Sequence, residues 1–279
     1  MQPPPQIGPF RVLSAVARGG GGEVYRVAHP EGGPDLALKL LVNAPTPRSL
    51  RRFETEVAAL LRVAHPGVVK LQATGVHAGR PYLVMDLIEG ATLQAQLDRE
   101  GALPWREAAG LALRLAEALA ECHALGVVHR DLKPDNVLLD ADGAPRLVDF
   151  GLALDLDATR SRLTQSGTFM GTPGYWAPEQ ASGKASELGP GVDVYGLGAV
   201  LYAALTRFPP IRGTSISEAI SQTLNLVPES PRVHAPDVPE ALERLCLRCL
   251  EKDPAQRYPS ARAVADALRE LLRPAAPPA

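Results

Sequence analysis

Residues 18–25 read RGGGGEVY, four glycines ahead of an acid, a valine and a tyrosine. Such a run has two readings. It is slack chain between folded pieces, or it is backbone stripped of side chains so that its N–H groups can approach a phosphate. Taken alone it leaves both open. Lysine carries a second hint, because it is rare: five, at Lys39, Lys70, Lys133, Lys184 and Lys252, against 24 arginines. Where guanidinium is the default cation, a retained lysine points to a need for a compact ammonium. Cysteine carries less. Cys246 and Cys249 form a C-x-x-C pair with no second ligand pair suitably placed for zinc, and the helical periodicity of ALERLCLRCLEK makes them core residues.

The elements that must position these residues change character along the chain. From Phe10 to Lys39, the runs RVLSAVA, GEVYRVA and DLALKLL read as short strands parted by glycine and proline turns. RSLRRFETEVAALLRVA, Arg48 to Ala64, has helical spacing with Phe53, Val57, Leu60 and Leu61 on one side, ended by Pro66-Gly67. VVKLQATGV and PYLVMDLI follow as strands joined by a turn at His77 to Gly79. After Gly90 helices dominate: a long one from Pro104 to Leu125, then YGLGAVLYAALT, ISEAISQTL, PEALERLCLRCLE and ARAVADALRELL. A β-rich small part thus precedes a larger helical one, as the length of 279 residues suggests.

Composition excludes several classes. A net charge of −2 is unlike a nucleic-acid binder. The longest apolar run, Tyr195 to Leu205, is about half the ~20 residues a membrane helix needs, so no membrane contact is expected of this segment. The opening MQPPPQIGPF lacks the layout of a secretion signal. Three cysteines make no disulfide framework and point to a reducing, cytoplasmic setting. RPAAPPA at the end reads as the start of a linker, so a membrane tether beyond it stays compatible.

The decisive string is HRDLKPDNVLL, His129 to Leu139; VDFGLA follows with Asp149 thirteen residues past Asn136, and WAPEQ with Glu179 thirty further on. In order and spacing these resemble the catalytic loop, metal-binding and APE segments of protein kinases. From about Ile7 to Leu272 the chain resembles the bacterial, eukaryote-like (Hanks-type) serine/threonine protein kinases. The resemblance implies an α+β, bilobal fold: a loose segment 1–9, an N-lobe 10–85, a hinge 86–89, a C-lobe 90–272 and linker 273–279. It also resolves the opening ambiguity, since in this family a glycine-rich loop joins two strands and folds over the ATP phosphates. Gly19 and Gly22 take the second and third glycine positions. The first is Ala17, a departure that requires negative φ there. Gly20 and Gly21 imply a mobile lid.

The family's other parts carry over residue by residue. Lys39 in LALK matches the lysine that grips the α- and β-phosphates, and Glu56, by helical phase rather than Glu54, its ion-pair partner. Asp131 is implied to accept the substrate hydroxyl proton, and Lys133 to set a cation beside the transferred phosphoryl group and to favour Ser/Thr over Tyr. Asn136 and Asp149 would offer oxygens to Mg²⁺, with Mn²⁺ as a substitute. The implied nucleotide pocket is Val16, Ala17, Gly19, Gly22, Val24, Ala37, Lys39, Met85 as gatekeeper, Asp86, Ile88 and Leu138. Leu60, Leu71, His129 and Phe150 match a stacked spine anchored by Asp193, which makes His129 a core residue. Glu179 and Arg257 match a structural ion pair.

Arg130 before Asp131 goes with activation by phosphorylation, for which Thr164, Ser166 and Thr168 are the candidate sites. Thr172 belongs instead to substrate positioning. Protein substrates bearing Ser/Thr, the chain itself among them, and a dimer through the N-lobe are partners known in the family. Two rival readings stand beside the active kinase. A pseudokinase scaffold draws only on Ala17. A small-molecule kinase would share the lobes and the aspartate loop but not the combination of HRDLKPDN, GTPGYWAPE and Asp193.

Overall fold

The computed structural model describes residues 3–19, 22–42, 47–151, 173–183 and 188–273. The candidate sites Thr164, Ser166, Thr168 and Thr172, and the loop tip at Gly20 and Gly21, lie outside the described residues. The chain divides into two compact units. The first holds the chain to Ala64 and Val68–Glu89; the second holds His65–Gly67, Gly90–Gly151 and the residues from 173 on.

Among the described residues, the first unit is an antiparallel sheet with one helix. Its strands are β1 (Gln6–Ile7), β2 (Phe10–Gly19), β3 (Gly22–Val27), β4 (Leu36–Leu41), β5 (Leu71–His77) and β6 (Arg80–Asp86), in the order β1-β2-β3-β4-β6-β5. Central β4, LALKLL, is buried along its length apart from a half-buried Lys39, as a strand with neighbours on both sides must be. Ile7, Phe10, Tyr25, Val27, Leu36, Leu38, Leu40, Tyr82 and Val84 form one apolar cluster. Helix α1 (Pro47–Leu60) buries Phe53, Val57 and Leu60, an i, i+4, i+7 stripe. It stops short of the expected Ala64. Arg62 and Val63 donate to Ala59 and Leu60, three residues back, so the last turn tightens and closes before Pro66. That tightening turns Leu61 outward, and it is exposed rather than on the buried face.

The second unit is built round α5 (Gly191–Thr206), which is buried on all sides from Val192 to Thr206. The helix begins four residues before the expected Tyr195, because Gly191 to Val194 continue it as its first turn. Helices α3 (Trp105–Ala124), α7 (Glu240–Cys249) and α8 (Ala261–Leu272) pack with it, and α8 also packs with α3 and with α7. The long helix and the last one fall within a residue of their expected spans. Gly198 lets α7 approach closely: a Cβ there would sit 2.5 Å from Cys249 Cβ. Cys246 donates to Gly198 O at 3.5 Å, and both cysteines are free and fully buried, which is the core role their spacing predicts. Burial pushes the Cys249 thiol up to about 12.

Two elements carry little periodicity and escape sequence reading. One is α2 (Leu93–Glu100), which starts at a Thr92 cap and buries only Leu93 and Leu97. The other is a sheet of two- and three-residue strands, β7 (Ala91–Thr92), β8 (Val137–Leu139) and β9 (Pro145–Leu147). The other α-helices among the described residues are the one-turn α4 (Pro178–Ala181) and α6 (Ile216–Asn225).

Candidate active site

In the second unit the site grows from the end of α3. The helix closes where Leu125 and Val127 both donate to Cys122 O, and the chain turns into His129–Asn136. One buried carboxylate fixes that loop. Asp193, in the first turn of α5 and 1% exposed, accepts from the backbone N–H of His129 and of Arg130, both at 2.8 Å, and lies 2.8 Å from His123 Nε2. A carboxylate so deep must be fully hydrogen-bonded. Here its donors are the loop's own amides, so satisfying it sets the backbone. Arg130 follows with φ 64°, a left-handed turn that aims the next residue.

His129 is fully buried. Its Nε2 lies 3.0 Å from Val148 O, Asp131 N donates to its Nδ1 at 3.4 Å, and its ring lies 4.6 Å from that of Phe150. Burial holds the imidazole below its usual range. A neutral ring that accepts at one nitrogen and donates at the other is a structural part, not a proton shuttle.

Asp131 is the focus of the loop, with its side chain about a third exposed. Lys133 Nζ lies 3.0 Å from Asp131 Oδ2, and Asn136 Nδ2 donates to both Asp131 O (2.7 Å) and Oδ2 (2.9 Å). Both held contacts fall on one carboxylate oxygen. The arrangement therefore orients the carboxylate while leaving it partly open to solvent. Asn136 is buried, and its amide nitrogen is committed to Asp131, which turns its carbonyl oxygen to the other side. Val148 N donates to Asn136 O and Gly151 N to His129 O, so the Asp149-Phe150-Gly151 segment is stitched to the same loop. Asp149 itself stands at φ 57°, the left-handed region.

Two residues that sequence reading passed over support this loop. Gln180 Nε2 donates to Arg130 O at 2.7 Å while its Oε1 accepts from Ala177 N at 3.0 Å. His123 caps the Asp193 cluster; the signal was a histidine in the last turn of an apolar helix six residues before His129. Nearby, Arg257 is fully buried and uses all its donors. It holds Glu179 in a two-point pair at 2.7 and 2.8 Å and donates to the carbonyls of Glu251, Gly191 and Lys252.

In the first unit, register aligns the implied nucleotide residues. Ala17 faces Val24, Val24 faces Lys39, and Ala37 faces Met85 across β2, β3, β4 and β6. Ala37 and Met85 are buried, Val24, Lys39, Asp86 and Ile88 half-buried, and Val16 exposed; Leu138 lies apart from these in sequence, half-buried on β8 of the second unit. Gly19 pairs with Gly22, the last pair of β2 and β3 before Gly20 and Gly21. Gly22 has φ 148°, and a Cβ there would meet Leu40 O at 2.4 Å, so only glycine fits. Ala17 is not among the described residues with positive φ, so it meets the condition its side chain imposes. On α1, Glu56 is half-buried and Glu54 exposed, and both Lys39 and Glu56 are engaged in interactions.

The protein kinase domain family matches residues 10–268, and the chain belongs to that family. Relatives named as serine/threonine-protein kinases occur in several bacteria. The serine/threonine-protein kinase PkaA of Streptomyces coelicolor is 42% identical over 242 residues, covering 85% of this chain and 43% of that protein. PknA of Mycobacterium tuberculosis is 35% identical over 278 residues, covering 97% of this chain and 63% of that one. The probable serine/threonine-protein kinase PkwA of Thermomonospora curvata is 37% identical, with 94% and 34% covered. The chain thus spans between about a third and two thirds of these relatives. The crystal structure of Rad53 1-466 in complex with AMP-PNP shares the fold, with a TM-score of 0.76 at 24% identity over 92% of this chain and 64% of that one.

Proposed function

We propose that this chain is an active serine/threonine protein kinase that transfers the γ-phosphoryl group of ATP to protein hydroxyls. The observation that carries the reading is the Asp131–Lys133–Asn136 cluster, held on a loop that a buried Asp193 sets in place. In the reaction the substrate oxygen bonds to phosphorus as the bond to the leaving phosphate breaks, and the hydroxyl proton passes to Asp131. A loose transition state asks for an oriented acceptor rather than a strong base. Lys133 sets positive charge beside the moving phosphoryl group. Lys39, positioned by Glu56, grips the nucleotide phosphates, and the glycine hairpin lets backbone approach them.

Among the described residues no group of three or more His, Cys, Asp or Glu side chains could hold a metal unaided. Asn136 and Asp149 nevertheless fit Mg²⁺ as hard oxygen donors, because that ion takes few protein ligands and completes its shell with phosphate and water. When bound it would neutralise charge on the phosphates. Among the described residues no helix is long and apolar enough to cross a membrane.

The test is mass spectrometry of the chain after incubation with Mg-ATP, beside Asp131→Asn. The expected result is phosphate on Thr164, Ser166 or Thr168 in the parent alone. Absence of phosphate from both the parent and an added Ser/Thr-bearing protein would overturn the reading.

A further inference from the structure

The backbone that leads into Asp131 is pinned on both sides of Arg130. That residue stands at φ 64°, a left-handed conformation that a side chain makes unfavourable and that persists only where neighbours hold it. On its N–H side, Asp193 Oδ1 accepts from Arg130 N at 2.8 Å. On its C=O side, Gln180 Nε2 donates to Arg130 O at 2.7 Å. That carbonyl shares its peptide plane with the N–H of Asp131, which donates to His129 Nδ1 over a long 3.4 Å. Gln180 thus makes the short hydrogen bond on the plane from which the Asp131 side chain springs.

The other end of the amide decides which residue can do this. Gln180 Oε1 accepts from the backbone N–H of Ala177 at 3.0 Å. An N–H only donates and a carbonyl oxygen only accepts, so one orientation of the amide serves both. A carboxylate of the same length would keep the contact to Ala177 and set oxygen against oxygen at Arg130. An apolar chain would lose both. The mount is firm, because the preceding residue, Glu179, is held at two points by buried Arg257. Gln180 and Asp131 also line one cavity, together with Tyr175 and Trp176.

We propose that Gln180 is a positioning residue for phosphoryl transfer, holding the peptide ahead of Asp131 so that the carboxylate is aligned only while the chain at Ala177 is in place. The inference rests on the kinase reading. Asp131 remains the proton acceptor, and Gln180 acts through the backbone between them. The stretch that ends at Ala177 thereby governs the alignment of the acceptor.

The experiment is steady-state phosphorylation of an added Ser/Thr-bearing protein by the full chain and by its Gln180→Glu and Gln180→Met variants, at pH 8 and pH 6. At pH 8, kcat should fall by at least about 10-fold in both variants, with KM for ATP and for the protein within about 2-fold of the parent. At pH 6, kcat of Gln180→Glu relative to the parent should recover by at least about 3-fold. A carboxyl facing a carbonyl oxygen keeps its proton above the usual carboxylate range, and protonated it donates to Arg130 O again. Gln180→Met should show no recovery. Titration with an ATP analogue reports folding; if Gln180→Glu fails to bind it, the split between kcat and KM in Gln180→Met decides. A loss confined to KM, or equal losses in both variants with no recovery at pH 6, would overturn the proposal. An inactive parent would overturn the kinase reading and the proposal together, whereas an active parent with unaltered variants would overturn the proposal alone.

Discussion

The two units hold their chemical residues in opposite ways. In the second, the loop round Asp131 answers to buried groups: His129 and Arg130 to Asp193, Asp131 to Asn136, and nearby Glu179 to Arg257. In the first, β2 beyond Phe10 is almost wholly exposed, and the glycine hairpin is shaped by strand register and one steric necessity at Gly22. Buried polar networks are costly unless complete, so they allow a single arrangement. An exposed hairpin pays no such penalty and can adapt to what it meets. The contrast suits the roles proposed for each: an adaptable phosphate-binding hairpin in the first unit and a fixed proton acceptor in the second.

Substitutions can break this contrast. The largest effect should come from Asp131→Asn, which keeps an oxygen for Lys133 and Asn136 but removes the acceptor. Turnover should fall by ~10²–10⁴-fold while thermal unfolding stays close to the parent. A collapse in melting temperature would mean that Asp131 also belongs to the buried scaffold. Next is Arg257→Ala, which strands Glu179 in the interior and should cost ~3–5 kcal/mol, read as a shift in denaturant midpoint.

Gly22→Ala sharpens the comparison from the other side. Its strained φ and the clash with Leu40 O should cost ~1–3 kcal/mol and weaken nucleotide binding, measured by titration of an ATP analogue. Unchanged binding would remove the hairpin from the site.

The smallest effect concerns pH. Cys249 has its folded thiol at about 12, against ~8.5 in the unfolded chain. The folded protein then keeps a proton that the unfolded chain has lost. The stability this contributes is complete below about 8.5 and falls as pH rises towards 12. The stability gap between the parent and Cys249→Ala should therefore narrow over that window; a gap constant from pH 8 to 10 would contradict the burial of the thiol.

Much of this was legible in the sequence, for physical reasons that differ from place to place. Strands and long helices announced themselves because their apolar periods extend over two turns or more, as in α3 and α8. The two-residue strands and α2 did not, because two buried leucines are too few to make a period. Gln180 and His123 were missed for another reason: their partners lie 50 and 70 residues away, and a polar residue carries no mark of a distant acceptor.

What the residues determined by themselves is the kind of chemistry, since the types and order of Asp131, Lys133, Asn136, Asp149 and the glycine run recur as a set. Tertiary structure decided which groups are held and which are open. Asp193 became an anchor only when α5 was buried on all sides, Leu61 turned outward only when α1 tightened, and Gln180 met Arg130 only through folding. Burial and hydrogen-bond partners are properties of neighbours in space, and the order of residues along a chain does not contain them until the chain has packed.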